Sequence, residues 1–326
     1  MKAAVTLPSR RISLATPSKE TLKKLGPFLA LLVLCLGLAI LSPDFLTIAN
    51  LFDVMRQVSI NAIIAFGMTL VILLGGIDLS VGSILAVSSL VIALLMKAGD
   101  ATALATLIGV LCGAVMGAAN GLLVTKGRVA PFIATLGMMT LLRGVALVLC
   151  QGSPVSGFSG QIFSALGGGY LARLIPLPVV WMLLLFAILW FVLDRTVFGR
   201  HIYATGGNSE AAALSGVNVD RVQILVYTLS GLTAAIAGVI LTSRLDSAQP
   251  TAGAGYELDA ITAVVLGGTS LAGGRGWIFG TLLGALLIGV LNNGLNLIGI
   301  SAFYQQVIKG SVILLAVLLD RAQKSE

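Results

Sequence analysis

The longest polar stretch in the interior of this sequence covers residues 201–221 and lies between two apolar runs. Residues 209–215, rich in alanine and bracketed by glycines, predict a short helix. Asn208 or Ser209 can cap its first turn, and Glu210 suits the positive end of the helix dipole. A helix of fewer than two turns is marginal in water. The pattern therefore favours a helix that docks on another protein, with an ordinary solvated loop helix as the alternative.

The surface expected on this short helix is small and mostly apolar. Ala211, Ala212 and Leu214 offer a smooth face that can sit in the groove of a partner. Gly216 can end the helix at the position where glycine is favoured. We expect this face to make the docking contact.

Groups that could perform catalysis are missing from the sequence. There is no G-x-x-x-x-G-K-[ST] phosphate-binding motif, no H-E-x-x-H motif and no pair of carboxylates within one apolar run. The single histidine, His201, cannot form a histidine-based metal site alone. The cysteines Cys35, Cys112 and Cys150 lie in apolar runs and are typical of small buried hydrophobic residues. The sequence predicts neither an enzyme nor a metal or cofactor site of its own.

The composition defines the class of protein. The chain has 326 residues, of which 57% are hydrophobic and only 10% are charged, and its mean hydropathy is +1.04. Soluble domains carry about 25% charged residues, so we expect an all-α, polytopic integral membrane protein. The net charge of +7 does not indicate nucleic-acid binding, because the basic residues are scattered through the segments between apolar runs.

About 20 apolar residues cross a bilayer as a helix, and on this basis we expect ten transmembrane helices. They cover residues 27–42, 57–76, 79–97, 101–124, 130–150, 177–194, 222–243, 258–271, 277–298 and 302–320. With both termini in the cytoplasm, the cytoplasmic segments hold fourteen Lys and Arg residues and the opposite side holds four, as the positive-inside rule requires. The domain boundaries that follow are a cytoplasmic tail at 1–26, one membrane domain at 27–320 with a cytoplasmic loop at 195–221, and a tail at 321–326.

Two of the expected spans are interrupted by glycine. An L-G-G-x-x-L pattern occurs at residues 74–79 and again at 266–271. Non-helical backbone at membrane depth must be buried in protein or line a watery cavity. The pattern indicates either an internal repeat or two glycine-rich turns between helices. Elsewhere glycines recur at every fourth residue, at 113, 117 and 121 and at 280 and 284, which favours close packing of helices.

Five segments together resemble the permease subunits of bacterial ABC sugar importers, most closely those for ribose, over nearly the full length. They are GMTLVILLGGIDLSVGS (67–83), KGRVAPFIATLGMM (126–139), GGNSEAAALSGVNV (206–219), SAQPTAGAGYELDAITAVVLGGTSLAGG (247–274) and LNNGLNL (291–297). The resemblance implies an ABC-importer permease fold in the bacterial inner membrane, a homodimer, a cytoplasmic ATP-binding subunit that binds the ATP, and a periplasmic sugar-binding protein. It implies that the helix at 209–215 couples the permease to the ATPase, although the Leu-Pro that follows this loop in other importers is missing here.

Several polar residues within the expected spans are candidates for the translocation path. They are Asn61, Asn292, Asn293 and Asn296, together with Asp78, a candidate cap or gate residue at the cytoplasmic turn. The asparagines can hydrogen-bond sugar hydroxyls transiently or bridge neighbouring helices, and the sequence leaves both roles open.

A charged residue lies well inside the fifth expected span. Arg143 must be paired or hydrated there, because an isolated charge costs several kcal/mol at membrane depth. Glu257 and Asp259 are its candidate partners, and they are also candidates for docking the sugar-binding protein. Structural pairing of Arg143 is the favoured interpretation.

A secondary transporter and a passive channel are the two alternative functional classes. A secondary transporter normally keeps a relay of carboxylates or histidines inside its spans, and this sequence has almost none. A passive channel gives no reason for a dedicated docking helix. The sequence leaves the sugar open, because the resemblance implies that specificity lies mostly in the sugar-binding protein. Ribose is the preferred sugar, and other pentoses, galactose, inositol and the autoinducer-2 class are the alternatives.

Overall fold

The computed structural model describes residues 19–158 and 160–322 of the chain, and this part is mostly helical. Its helices are α1 (Lys19–Leu41), α2 (Ile48–Leu73), α3 (Val81–Lys97), α4 (Thr102–Thr125), α5 (Pro131–Leu149), α6 (Gln161–Gly168), α7 (Leu177–Arg195), α8 (Val197–Gly207), α9 (Ser209–Leu214), α10 (Val219–Leu245), α11 (Tyr256–Leu266), α12 (Ile278–Leu297) and α13 (Ala302–Ala322). The two-residue strands are β1 (Val155–Ser156), β2 (Tyr170–Leu171), β3 (Ile175–Pro176) and β4 (Ser247–Ala248). β1 pairs antiparallel with β4, and β2 with β3. Most of the predicted tail 1–26 and the end of the tail 321–326 lie outside the described residues.

Six helices in the described part of the chain are long and apolar enough to cross a membrane, namely α2, α4, α5, α7, α10 and α12. The apolar part of α1, Gly26–Leu41, and α3 are shorter. Together they correspond to eight of the ten predicted spans. The multi-pass membrane class is therefore confirmed, while the number ten stays a prediction.

The predicted eighth span, 258–271, contains a helix that is shorter than the predicted segment. Its helix, α11, has 11 residues, which extend about 16 Å at 1.5 Å per residue. This is about half of the hydrocarbon thickness of a bilayer. The glycine pair that follows Leu266 ends the helix, so the continuous apolar run overstated the length of the element.

Helix α2 forms the centre of the bundle. Every residue from Val58 to Leu73 is buried, and α2 contacts α7, α10, α11 and α12. A helix that is apolar on all sides is stable only when it is surrounded. The outer helices α4, α5 and α7 instead expose much of their apolar surface, as expected for helices that face lipid or a second subunit.

The predicted close packing of the regularly spaced glycines is confirmed. Gly117 of α4 lies directly against the backbone of Tyr227 and Gly231 of α10, and Gly121 lies against Ile224. A Cβ added at any of these glycines would overlap backbone atoms, which cannot move as a side chain can. Small residues at this spacing therefore let α4 and α10 approach closely, and Gly280 and Gly284 of α12 do the same against α11.

Helix α10 runs from one end of the bundle to the other and so defines two faces. The α9 face is the end at which α9 lies, just before α10 begins at Val219. The strand face is the opposite end, where α10 leads into β4 and β4 pairs with β1.

Candidate functional site

The polar stretch 201–221 contains two helices that meet at one residue. Asn208 has an extended backbone with φ −160° and ψ 105°, and it separates α8 from α9. Its backbone N–H donates to Ala204 O at 3.0 Å, and its side-chain Oδ1 accepts from Ala211 N at 2.9 Å. The predicted cap is therefore Asn208, which ends one helix and starts the next. The helix α8 was not predicted, and the cap at Thr196, whose hydroxyl accepts from Gly199 N, is the local signal for it.

The predicted end of α9 is also observed. The helix runs Ser209–Leu214, with Ser215 as its C-cap. Gly216 follows with φ +88°, a left-handed conformation that glycine adopts without steric cost. The short helix and both of its ends were thus encoded locally in the sequence.

The surface of α9 divides the predicted docking residues into two groups. Glu210, Ala211, Leu214 and Gly216 are exposed, and Leu214 has 91% of its surface accessible. Ala212 is buried, with only 5% accessible, so it faces its own chain and holds α9 in place. Ala212 is therefore not accessible for the docking contact that was predicted for it. Leu214, at the end of the helix, is accessible.

Asp78 lies deep in the bundle, in the segment between α2 and α3. Its Oδ1 accepts hydrogen bonds from Ser80 N at 3.0 Å and Ser80 Oγ at 2.6 Å. Its Oδ2 accepts from Ser230 Oγ at 2.8 Å. Asn120 completes the network by donating from Nδ2 to Ser80 Oγ at 2.7 Å. Ser80 is the N-cap residue of α3, and no side chain makes a capping hydrogen bond there. The carboxylate of Asp78 instead joins the segment before α3 to α10 through Ser230, and its capping or gating role stays a prediction.

This network places the start of α3 well inside the bundle. Ser230 is about 17 Å along α10 from its first residue, at 1.5 Å per residue. The chain therefore leaves α2 at the α9 face, runs inward without helical structure, and begins α3 near the middle. From there α3 continues towards the strand face, where it contacts β1 and β4.

A second broken element enters from the strand face. The segment 249–255 follows β4 and leads into α11, which runs back towards the α9 face. Gly253 of this segment lies against the backbone of Gly82, near the start of α3. Two half-helices thus begin close together in the interior and run to opposite faces. The two L-G-G-x-x-L motifs form glycine-rich turns where α2 and α11 end at the α9 face. Glycine-rich turns were one of the two interpretations of this pattern.

Arg143 of α5 fixes the second broken segment. Its Nη1 donates to Pro250 O at 2.6 Å and to Ala252 O at 2.9 Å, so the guanidinium satisfies carbonyl groups that no helix uses. Glu257 is close enough to attract this charge, and its own carboxylate accepts from Gly255 N at 3.1 Å. Of the two predicted partners of Arg143, only Glu257 takes part.

Asp259 has a different partner from the one predicted. Its carboxylate forms an ion pair with Lys309 of α13, at 3.2 Å between Nζ and Oδ2. No local pattern predicts this pair, because the two residues lie 50 positions apart. The pair joins α13 to α11.

The candidate path asparagines are mostly engaged with protein. Asn293 and Asn50 exchange hydrogen bonds of 2.7 and 3.1 Å, which joins α12 to α2. Asn296 is exposed and accepts from Gln305 Nε2 at 2.7 Å, and Asn61 is buried within α2. The bridging role that the sequence left open is thus observed for Asn293.

Among residues 19–158 and 160–322, no group of three histidine, cysteine or acidic side chains is arranged to hold a metal ion. The arrangement instead combines apolar helices of spanning length, buried half-helices and a short helix displayed on one face. These features define a multi-pass membrane protein.

Comparison with known proteins identifies the family. Residues 50–317 match the family described as branched-chain amino acid transport system / permease component. The chain is 57% identical to the ribose import permease protein RbsC of Bacillus subtilis (strain 168), over 93% of this chain and 94% of that protein. It is 53% identical to RbsC of Escherichia coli (strain K12), over 94% and 96% of the two chains. The D-allose transport system permease protein AlsC of Escherichia coli (strain K12) is 43% identical over 91% of each chain.

The chain therefore belongs to this family of transport permease components. Its relatives are permeases and not enzymes. No solved structure matches the chain.

Proposed function

We propose that this chain is the membrane permease subunit of an ATP-driven ABC importer that carries ribose across the bacterial inner membrane. The observation that carries the proposal is the identity of more than half of all residues with ribose import permeases, over nearly the whole of both chains. The resemblance first seen in five motifs thus extends to the entire membrane domain.

A cytoplasmic ATP-binding subunit supplies the energy in this proposal. The sequence has no phosphate-binding motif of the P-loop type, so ATP must be bound by a partner. Helix α9 offers that partner a small convex surface formed by Glu210, Ala211, Leu214 and Gly216. The large exposure of Leu214 supports this assignment, because a leucine outside the spanning helices gains most from burial against another protein.

The sugar path in this proposal lies between two copies of the chain. Helix α2 fills the centre of the bundle with buried side chains and leaves no room for a sugar there. The broken segment 249–255 exposes Gln249 and Thr251 on its outer side. Polar groups near membrane depth need water or protein partners, which a path shared by two subunits provides. A periplasmic sugar-binding protein delivers the sugar to the strand face.

Both termini and the α9 face lie in the cytoplasm in this proposal. The excess of Lys and Arg in the segments assigned to that side supports this orientation. Residues 1–26 and 321–326 then form cytoplasmic tails, and 195–221 is the cytoplasmic coupling loop within the membrane domain 27–320.

The test is uptake by purified components in proteoliposomes. The permease, its ATPase subunit and its sugar-binding protein are reconstituted, and accumulation of labelled ribose is measured with ATP and with a non-hydrolysable analogue. We expect accumulation with ATP alone, and competition by unlabelled ribose that exceeds competition by allose or arabinose. Uptake that follows an imposed ion gradient without ATP would instead identify a secondary transporter, and preferred uptake of another sugar would overturn the assignment of ribose.

A further inference from the structure

Three segments meet through backbone contacts at the α9 face. We call this contact the glycine junction and define it by Leu73, Gly75, Gly206, Gly273 and Gly274. The backbone N–H of Gly274 donates to Leu73 O at 2.8 Å. A Cβ on Gly206 would overlap Leu73 O and lie 2.8 Å from Gly274 N. A Cβ on Gly273 would lie 2.8 Å from both Gly206 O and Gly75 N. Side chains are thus excluded from the junction, and the three backbones touch directly.

A hydrogen bond beside the junction joins two of the same segments. The hydroxyl of Tyr203, in α8, donates to Gly276 O at 3.0 Å. Burial raises the pKa of Tyr203, and the nearby carboxylate of Asp194 raises it further. The hydroxyl therefore stays protonated and remains a donor at neutral pH. This bond ties α8 to the loop after α11.

Each of the three segments adjoins a different helix. Gly206 lies at the end of α8, one turn before α9, and Asn208 bonds α8 to α9 on both sides. Gly75 begins the segment that carries Asp78 and starts α3. Gly273 and Gly274 belong to the loop after α11. The junction therefore connects the docking helix to both half-helices.

We infer that the glycine junction transmits displacements of α9 to the two half-helices, and that Gly206 and Tyr203 are the positioning residues for this transmission. This inference rests on the proposed function, in which α9 is moved by the ATPase subunit. Backbones in direct contact move together, because close-packed atoms have no free space to take up a displacement. Contacts of α8 and α9 with α10 provide the competing route, which bypasses the junction.

The test compares two neighbouring glycines of α8. Gly206→Ala adds a methyl group that must separate the three segments, whereas Gly207→Ala adds one with no atom within 4 Å. Alanine is the better helix former at both positions, so a loss confined to Gly206→Ala comes from the junction. Both variants are reconstituted as the full complex. The readouts are sugar imported per ATP hydrolysed, affinity for the ATPase subunit, and thermal unfolding of the permease.

We expect Gly206→Ala to bind the ATPase subunit like the unaltered chain but to import about tenfold less sugar per ATP, a loss that corresponds to about 1.4 kcal/mol of coupling free energy. Gly207→Ala should match the unaltered chain. Tyr203→Phe removes one hydroxyl and keeps the ring, so it serves as the second variant if Gly206→Ala does not fold. It should lower the sugar-to-ATP ratio by more than the small decrease in unfolding temperature expected for one lost hydrogen bond can explain.

An unchanged sugar-to-ATP ratio in the folded variants would overturn the inference and favour the route through α10. So would a loss explained entirely by weaker ATPase binding or a lower unfolding temperature, because the junction would then only be structural. Failure of the unaltered chain to bind an ATPase subunit or import sugar would refute the proposed function instead. The two failures are therefore distinguishable.

Discussion

Leu214 provides the sharpest test of the docking surface. Its side chain is 91% accessible and makes almost no contribution to the stability of the chain alone. Complete burial of a leucine side chain contributes about 1.5–3 kcal/mol. If α9 enters a groove on the ATPase subunit, Leu214→Ala should remove about 2 kcal/mol of binding free energy. This loss corresponds to a dissociation constant about 30-fold higher.

The assay is the affinity of the ATPase subunit for the permease in nanodiscs, measured by interferometry. Thermal unfolding of the permease is measured in parallel. The free energy of unfolding should change by less than about 0.5 kcal/mol, as is usual for surface substitutions. Leu174→Ala is the matched control, because Leu174 is also exposed, at 68%, but lies between β2 and β3 at the other end of the bundle. Leu214→Asp should weaken binding further, because a carboxylate in an apolar groove must lose its hydration.

Either of two results would contradict the burial of Leu214 against the ATPase subunit. One is an unchanged dissociation constant for Leu214→Ala, which would mean that Leu214 stays exposed in the complex. The other is an equal loss for Leu174→Ala, which would show that the effect is not specific to α9. Ala212 is unsuitable for this test because it is buried against its own chain, so a large residue there would displace the whole helix.

Further predictions concern the packing and buried charges. Gly231→Ala should lower thermal stability in detergent by about 1–3 kcal/mol, because its Cβ overlaps a backbone carbonyl of α4; Gly144→Ala adds a Cβ into open space and should not. Lys309→Met should destabilise the chain by about 3 kcal/mol, because it leaves the buried Asp259 carboxylate unpaired. The double variant Lys309→Met/Asp259→Leu should recover much of the lost free energy of unfolding, and additive losses in the double-mutant cycle would contradict the pairing. Asp78→Ala should cost about 1–3 kcal/mol because two serine hydroxyls and a backbone N–H lose their acceptor, with a smaller loss for Asp78→Asn; equal stability of the three proteins would show that the network contributes nothing.

For Arg143, the sequence predicted the need for a partner but not which groups the partner would be. Its position within an apolar run required a partner, and the structure supplies one. The partner is mainly the backbone of segment 249–255, at Pro250 and Ala252, and not the carboxylate of Asp259. Backbone carbonyls are present at every residue and leave no mark in a sequence. Only the break in the helix at this point makes them free to accept.

The glycine motifs show the same division between local and long-range information. Their spacing predicted close helix packing, and α4 does lie directly against α10. The spacing did not reveal which helix would be the partner. It also did not show that Gly206, Gly273 and Gly75, far apart in the chain, meet at one junction. Such contacts depend on the arrangement of whole helices.

The membrane class, most of the apolar helices, and the short helix α9 with its cap at Asn208 and its end at Gly216 can be predicted from the amino-acid sequence alone. These features follow from composition and from capping hydrogen bonds between residues a few positions apart, which leave a local pattern in the sequence. Three features become visible only in the folded chain: Ala212 faces inward while Leu214 faces outward, Lys309 pairs with Asp259, and α11 has only 11 residues. These features depend on which surfaces of distant helices come together, and no local pattern specifies that pairing.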